Sequence, residues 1–243
     1  PRFKVIGCEH WSNEPNFEKE VGADGVTGIC GSGIIEVIAE MFLSGLITKD
    51  GVIDGGLAEQ TDRIVKDGRT FSYLVTTDVA ALSITQNDVR AIQLAKAALY
   101  AGVRLLMDRM RVDRVDRIRL AGAFGSHIDV KYAMVLGLIP DCDLAKVNSA
   151  GNAAGTGARI TLLDRKARLE IEDVVRRIEK VETAVEPNFQ AHFVEAMAFP
   201  HKSDKFKELN SVVSLPADPD SDSQILKPSR RRRRTRRPKN EPI

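Results

Sequence analysis

The amino-acid sequence predicts an α/β fold, a mixed sheet flanked by helices. Three observations predict it. Short β-branched runs alternate with longer stretches of helical apolar spacing. Asp-Gly pairs punctuate the strand-like part, and small-residue turns at 28–33, 121–125 and 151–158 each stand where a strand or loop enters a helix.

Taken in order, "FKVI" at 3–6 reads as a short strand, and the polar, Pro-broken stretch after it reads as a loop up to the first glycine turn. Ile34, Ile35, Ile38, Met41 and Phe42 then recur at helical spacing, and Ser44-Gly45 ends the pattern as a C-cap. "LITKDGVIDGG" and "RIVKDGRTFSYLVTT" place Asp-Gly between β-branched and aromatic runs, which predicts a hairpin or meander. Thr85-x-x-Asp88 is a capping box before a periodic stretch from Gln86 to about Met110, a helix of about 37 Å at 1.5 Å per residue. Val115, Ile118 and Leu120 mark a strand running into a glycine turn, followed by a helix from near Asp129 to Gly137. "AKVNSAGNAAGTGARITLL" repeats strand, turn and helix, with small residues that permit close backbone approach. "EIEDVVRRIEKVETAV" reads as an amphipathic helix grading into a strand, and 187–197 as the last helix of the body. Residues 1–213 form that body. From Ser214 the chain turns to Pro, Asp, Ser and Arg without apolar periodicity, a disordered C-terminal tail.

Composition narrows the function classes. The 243 residues are 43% hydrophobic, with no apolar run near the roughly 20 residues of a membrane span, so a soluble, cytoplasmic protein is expected. Pro1 leads straight into an apolar stretch without an initiator Met, so further sequence upstream is expected. Nine Lys and Arg crowd residues 227–239, and with Asp218, Asp220, Asp222 and Glu241 they give the last 28 residues +5, so that subtracting it from the chain's +2 leaves the body near −3. Nucleic acid is therefore not the body's main partner, although the tail is suited to salt-sensitive contact with nucleic acid, anionic lipid or an acidic protein, or to simple solubilisation. Cys8, Cys30 and Cys142 are isolated and lack zinc or cluster spacing, so no metal site is expected. The four histidines are scattered. "DRMRVDRVDRIR" reads as a solvated, ion-paired face.

The opening turn, "GICGSG", is not a phosphate loop, because no lysine lies between Gly25 and Met41. Its glycines, Gly28, Gly31 and Gly33, run in the reverse order of a dinucleotide fingerprint. What it offers is a helix N-terminus with room for a ligand, and Ser32 as a cap or contact. "AGAFG" and "GNAAGTGA" are two further turns of the same kind, which either converge on one ligand cleft or simply turn the chain.

"GVTGICGSGIIEVIAEM", "ITQNDVRAIQLAKAALYAGVRLLM", "RIRLAGAFGSHID", "GLIP" and "GNAAGTGARITLLD" together, in order and spacing, resemble the C-terminal region of the reductive activators of corrinoid proteins. These belong to the acetate and sugar kinase, heat-shock chaperone and actin superfamily of ATPases. The resemblance runs from about Phe3 to His201 and does not reach the arginine tail. It implies a ribonuclease-H-like lobe of an actin-like ATPase that closes with a second lobe over ATP and Mg. On that footing Gly122, Ala123 and Gly125 would lie against the adenosine, and Gly28, Gly31, Ser32 and Gly33 would open a helix beside the nucleotide. Gly151, Asn152 and Gly155 would form a connecting segment near the hinge. Phe124 would support the base or fill the core, the core being the simpler reading. Glu36 would accept hydrogen bonds from a ribose hydroxyl or lie on the helix surface, and His127 would line the cleft or stand exposed.

The departures bear on function. Members of that family carry a [2Fe-2S] domain and D-x-G-T phosphate loops, and this sequence has neither. The resemblance implies ATP-dependent return of cobalt(I) to the corrinoid protein of a methyltransferase system, by a homodimer whose electrons come from the missing domain. This chain alone would be inactive. A non-enzymatic nucleotide-binding or docking module is the alternative, and a sugar-kinase-like phosphotransferase lobe is disfavoured because no substrate carboxylate or phosphate loop is seen.

Overall fold

The computed structural model describes residues 1–22, 25–77 and 81–216; most of the basic tail read from the sequence lies outside them. The chain opens on an extended segment that makes only an isolated bridge, Lys4 to Trp11, rather than the strand expected at 3–6. Among the described residues, 3–6 have no partner strand, and Ser12 instead ties back to Phe3 through backbone and side chain. The following stretch contains a short helix, α1 (Phe17–Val21), where a loop was expected. Glu20 in α1 accepts the backbone N–H groups of Glu9 and His10, which hold its carboxyl down to about 2 and pin the loop to the helix.

α2 (Gly31–Leu43) buries Ile35, Ile38, Ala39, Met41 and Phe42, as its spacing predicts. It ends on the expected cap: Gly45 N–H donates to Phe42 O and Leu46 N–H to Met41 O, the paired bonds of a Schellman motif. The first Asp-Gly segment makes only a bridge between Ile47 and Ile53 and then a 3-10 turn at Gly55–Glu59. The second gives a true meander, in which β1 (Ile64–Asp67), β2 (Thr70–Leu74) and β3 (Ser83–Thr85) pair antiparallel in that order. α3 (Gln86–Met110) follows, with both bonds of the Thr85–Asp88 capping box present.

β4 (Ile118–Ala121) leads into α4 (Ala123–His127) and α5 (Val130–Val135), so the "AGAFG" turn is itself the start of a short helix. α5 stops at Gly137, where φ is +71° and an added Cβ would lie 2.0 Å from Pro200 O, a position only glycine fits. β5 (Val147–Gly151) pairs parallel with β4, Ile118 opposite Val147, and runs into α6 (Ala153–Leu163). The strands thus form two separate sheets, one antiparallel and one parallel, with helices around them. α7 (Arg165–Arg177) begins earlier than the sequence suggests, and 178–185 does not become a strand. α8 (Phe189–Glu195) and α9 (Lys207–Asn210) complete the order, α9 being a helix the spacing did not announce.

The core gathers the inner faces of α2, α3 and α5 around Phe199, Phe206 and Leu209. A polar ladder on α3 fastens two loops to it. Gln86 donates to Gly51 O, Gln93 to both Asp50 O and Met197 O, Lys96 to Ala198 O and Pro200 O, and Tyr100 to Asp204. Lys96 is fully buried, over the Phe199 ring, and burial pushes its ammonium down to about 7.

Candidate functional site

The three glycine turns meet at one end of the parallel pair. Gly122, with φ +100°, donates its N–H to Gly151 O at 2.8 Å, which joins the second turn to the third. Ser126 on α4 donates its hydroxyl to Gly122 O and accepts from the Ser149 hydroxyl on β5 at 3.2 Å. The first turn reaches the second through Gly31, where an added Cβ would lie 3.1 Å from Phe124. The second and third turns therefore lie at the carboxyl ends of β4 and β5, where open α/β sheets place their ligands, and the first touches them through Gly31 and Phe124.

Within that arrangement the residues do different things. Added Cβ atoms at Gly122 and Gly151 would meet nothing within 4 Å, so these positions keep open space beside a left-handed backbone. Ala123 is exposed at the start of α4. An added Cβ at Gly125 would instead lie 3.0 Å from Leu120 Cβ, so glycine there lets α4 pack closely on β4. Asn152 caps α6 by accepting the Gly155 N–H at 2.9 Å, and Gly155 makes room for that side chain. Phe124 is not a core residue, contrary to the simpler expectation: the residue is 54% exposed, with its ring against Gly31 of the first turn. His127 is exposed at the last turn of α4.

The first turn is capped by Cys30 rather than by Ser32. Cys30 Sγ accepts the Gly33 N–H at 3.3 Å and lies 3.4 Å from Ser32 Oγ. The Ser32 hydroxyl, and after it the Gly33 N–H, lowers the thiol below its ordinary range. Gly28, Ser32, Gly33 and Glu36 line an open groove of about 1090 Å³ between the N-terminal segment and α2, to which Gly122 and Gly151 do not contribute. Of the eleven candidate residues, four thus line the groove, Gly122, Ala123 and Gly151 form an open wall, Gly31 touches Phe124 between them, and Gly125, Asn152 and Gly155 have packing or capping contacts of their own. Glu36 is half-buried; burial raises its carboxyl, and the neighbouring carboxylates of Asp129 and Glu40 add to the effect.

Among the described residues of the turns no nucleophile and base stand in hydrogen-bond reach of one another. A nucleotide fits what is present: helix N-terminal N–H groups, open backbone at two glycines and an exposed aromatic ring. A [2Fe-2S] cluster does not fit. Among the described residues no three His, Cys, Asp or Glu side chains gather as metal ligands, and Cys142 is buried apart from Cys30.

A family model described as the C-terminal domain of RACo, the ASKHA domain, matches residues 1–210. The chain belongs to the RACo C-terminal ASKHA domain family. Its fold is accordingly that of an actin-like ATPase domain. Among relatives, the corrinoid activation enzyme RamQ of Eubacterium limosum is 35% identical over 199 residues, covering 77% of this chain and 33% of that protein. A solved structure, the reductive activator for corrinoid, iron-sulfur protein, is 33% identical with a TM-score of 0.63, over 72% of this chain and 28% of the other. The ASKHA chain described here thus spans about a third of the length of the relatives it matches. No helix among its described residues is long and apolar enough to cross a membrane.

Two features of this ASKHA domain escaped the sequence reading. The Cys30 cap was legible in principle, since it stands where Ser, Thr, Asn or Asp would begin a helix. The Ser126–Ser149 link was not, because it joins residues 23 apart through the strand register.

Proposed function

We propose that this chain supplies the adenosine-facing lobe of an ATP-dependent activator that returns a corrinoid to its methyl-accepting cobalt(I) state. The observation that carries the reading is the meeting of the three glycine turns at the carboxyl ends of β4 and β5, in a chain of the corrinoid-activator family. Reduction of cobalt(II) is uphill with physiological donors. Closure over ATP offsets that cost by favouring one conformation of the assembly over another. In this reading Gly122 and Gly151 let the nucleoside approach the backbone, Phe124 packs against it, and Glu36 accepts from the ribose. The electrons come from an iron-sulfur domain outside these 243 residues, and the cobalt belongs to the partner, the corrinoid protein of a methyltransferase system. Mg accompanies the phosphates, which are held by loops outside this chain.

Replacing Gly122 by Val tests the adenosine assignment. The left-handed φ strains a β-branched side chain, and the added carbons fill the open space, so ATP affinity of the full-length activator should fall at least tenfold by calorimetry. Unchanged affinity would remove Gly122 from the site. Appearance of the cobalt(I) absorption band only when ATP is present would support the activity as a whole, and its appearance without ATP would leave the domain a docking module.

A further inference from the structure

The strap between α8 and α9 carries a buried side chain whose hydrogen bonds are only half made. His201 is 4% exposed. Its Nδ1 accepts two main-chain N–H groups of its own turn, from Asp204 at 2.9 Å and from Ser203 at 3.3 Å. A ring nitrogen that accepts carries no proton, so the proton of the neutral ring is on Nε2, which meets no partner among the described residues. A neutral imidazole is therefore part of how the turn is built.

The same turn is fastened to α3 on either side of that ring. Lys96 donates to Ala198 O and Pro200 O before it, and the Tyr100 hydroxyl donates to Asp204 at 2.7 Å after it. The Tyr100 ring also packs on His201, with centroids 4.8 Å apart. Tyr100 and Asp204 go on to wall a cavity of about 430 Å³, together with Arg104, Asp141, Lys205 and Glu208. His201 thus stands behind one wall of that cavity.

A second proton on the ring does not fit the closed turn. On Nδ1 it would confront two N–H groups that now donate there, and both bonds would be lost. The Asp204 carboxylate, 3.9 Å from Nδ1, is beyond hydrogen-bond reach and already takes the Tyr100 hydroxyl. The charge would also be buried with Nε2 still unpaired. Burial is the chief cause that holds the ring below its ordinary 6.5; Asp204 opposes it, Lys96 of α3 adds to it, Glu195 of α8 opposes it and Arg104 of α3 adds to it.

We propose that His201 is an acid-sensitive latch: a proton arriving at Nδ1 releases the 201–204 turn from α3, parts Tyr100 from Asp204 and opens the cavity that they wall. The open turn takes the proton at the ordinary 6.5 and the closed turn only at lower pH, so closure is complete above 6.5 and is lost as pH falls below it. Amide exchange of Ser203 and Asp204 in the 243-residue chain, followed by NMR and corrected for the intrinsic rate, reads the latch between about pH 6.5 and about pH 5, above the range of ordinary carboxylates. Protection of these two amides should fall about tenfold over that range, and unchanged protection overturns the proposal. Ile38, in the core, should stay at least tenfold better protected at the lower pH; equal protection would mean that the whole chain opens and that there is no latch. His201→Asn offers an acceptor close to the place of Nδ1 and cannot be protonated, so it should keep the protection found near pH 6.5 and lose the acid response. The same fall in a folded H201N variant places the response elsewhere. The ring itself gives an answer that needs no variant, because its nitrogen shifts should show the Nε2–H form near pH 6.5, and a cationic ring with Ser203 and Asp204 still protected overturns the latch.

Discussion

The antiparallel sheet and the parallel pair are supported very differently. Around β1, β2 and β3 the helices α2 and α3 bury five and eight residues, and Tyr73 and Ile84 face inward. Around β4 and β5, most of β5 is exposed and neither α6 nor α7 has a buried residue. Leu162 and Leu163 are 79% and 89% exposed at the junction of those two helices. Parallel strands are ordinarily covered on both faces. The difference teaches that the part bearing the second and third glycine turns gains little stability from its helices α6 and α7. It is held by Val147, Ile118 and Leu120 against the core and by local bonds such as Gly122 to Gly151 and the Asn152 cap. Its amides should exchange with solvent by local opening, well before those of α2 and α3.

That contrast can be broken or sharpened by substitution. The largest effect is expected at Phe199, fully buried against Phe42: Phe199→Ala should cost about 3–5 kcal/mol in denaturant unfolding, and a loss below about 1 kcal/mol would mean the core is not centred there. Next comes Lys96→Met, which keeps the stem and leaves Ala198 O and Pro200 O without donors. The folded ammonium titrates near 7 against an ordinary 10.5, so the unfolded chain holds the extra proton between those values and stability rises with pH across that window. Below pH 7 both states are charged and the full desolvation penalty is present. Lys96→Met should therefore be worse than the parent by about 2–4 kcal/mol near pH 9.5, the cost of two orphaned carbonyls, with the deficit shrinking towards pH 6. A deficit that stays constant across that range would contradict the depressed lysine. Thr85→Ala removes the hydroxyl that accepts the Asp88 N–H, while the Thr85 N–H still donates to Asp88, and should cost about 1 kcal/mol by thermal melting. Leu163→Ala, at the open end, should change stability by less than about 0.5 kcal/mol, and a larger loss would show that α6 is covered in solution.

What the sequence made legible was local. The α3 capping box, the C-cap at Ser44-Gly45 and the stop at Gly137 depend on residues within a turn of one another, and each stands as read. The three turns were visible as turns, but their meeting was not, since it depends on the β4–β5 register and on one ring, Phe124, reaching Gly31. Lys96 and Gln93 were invisible as interior residues because a hydropathy pattern places lysine and glutamine outside. Here the carbonyls of two distant loops supply what water would. Residues 3–6 have strand composition but no neighbour to pair with, and composition alone does not reveal a missing neighbour.

The ladder on α3 holds its loops by main-chain oxygens, which every amino acid carries. Side chains at 50, 197 and 200 can therefore drift without loosening the grip, while Gln93 and Lys96 cannot be exchanged one at a time. Among relatives, variation should accordingly collect in the gripped loops and spare the helix that grips them. The gripped loops can thus diversify without disturbing the frame beneath them.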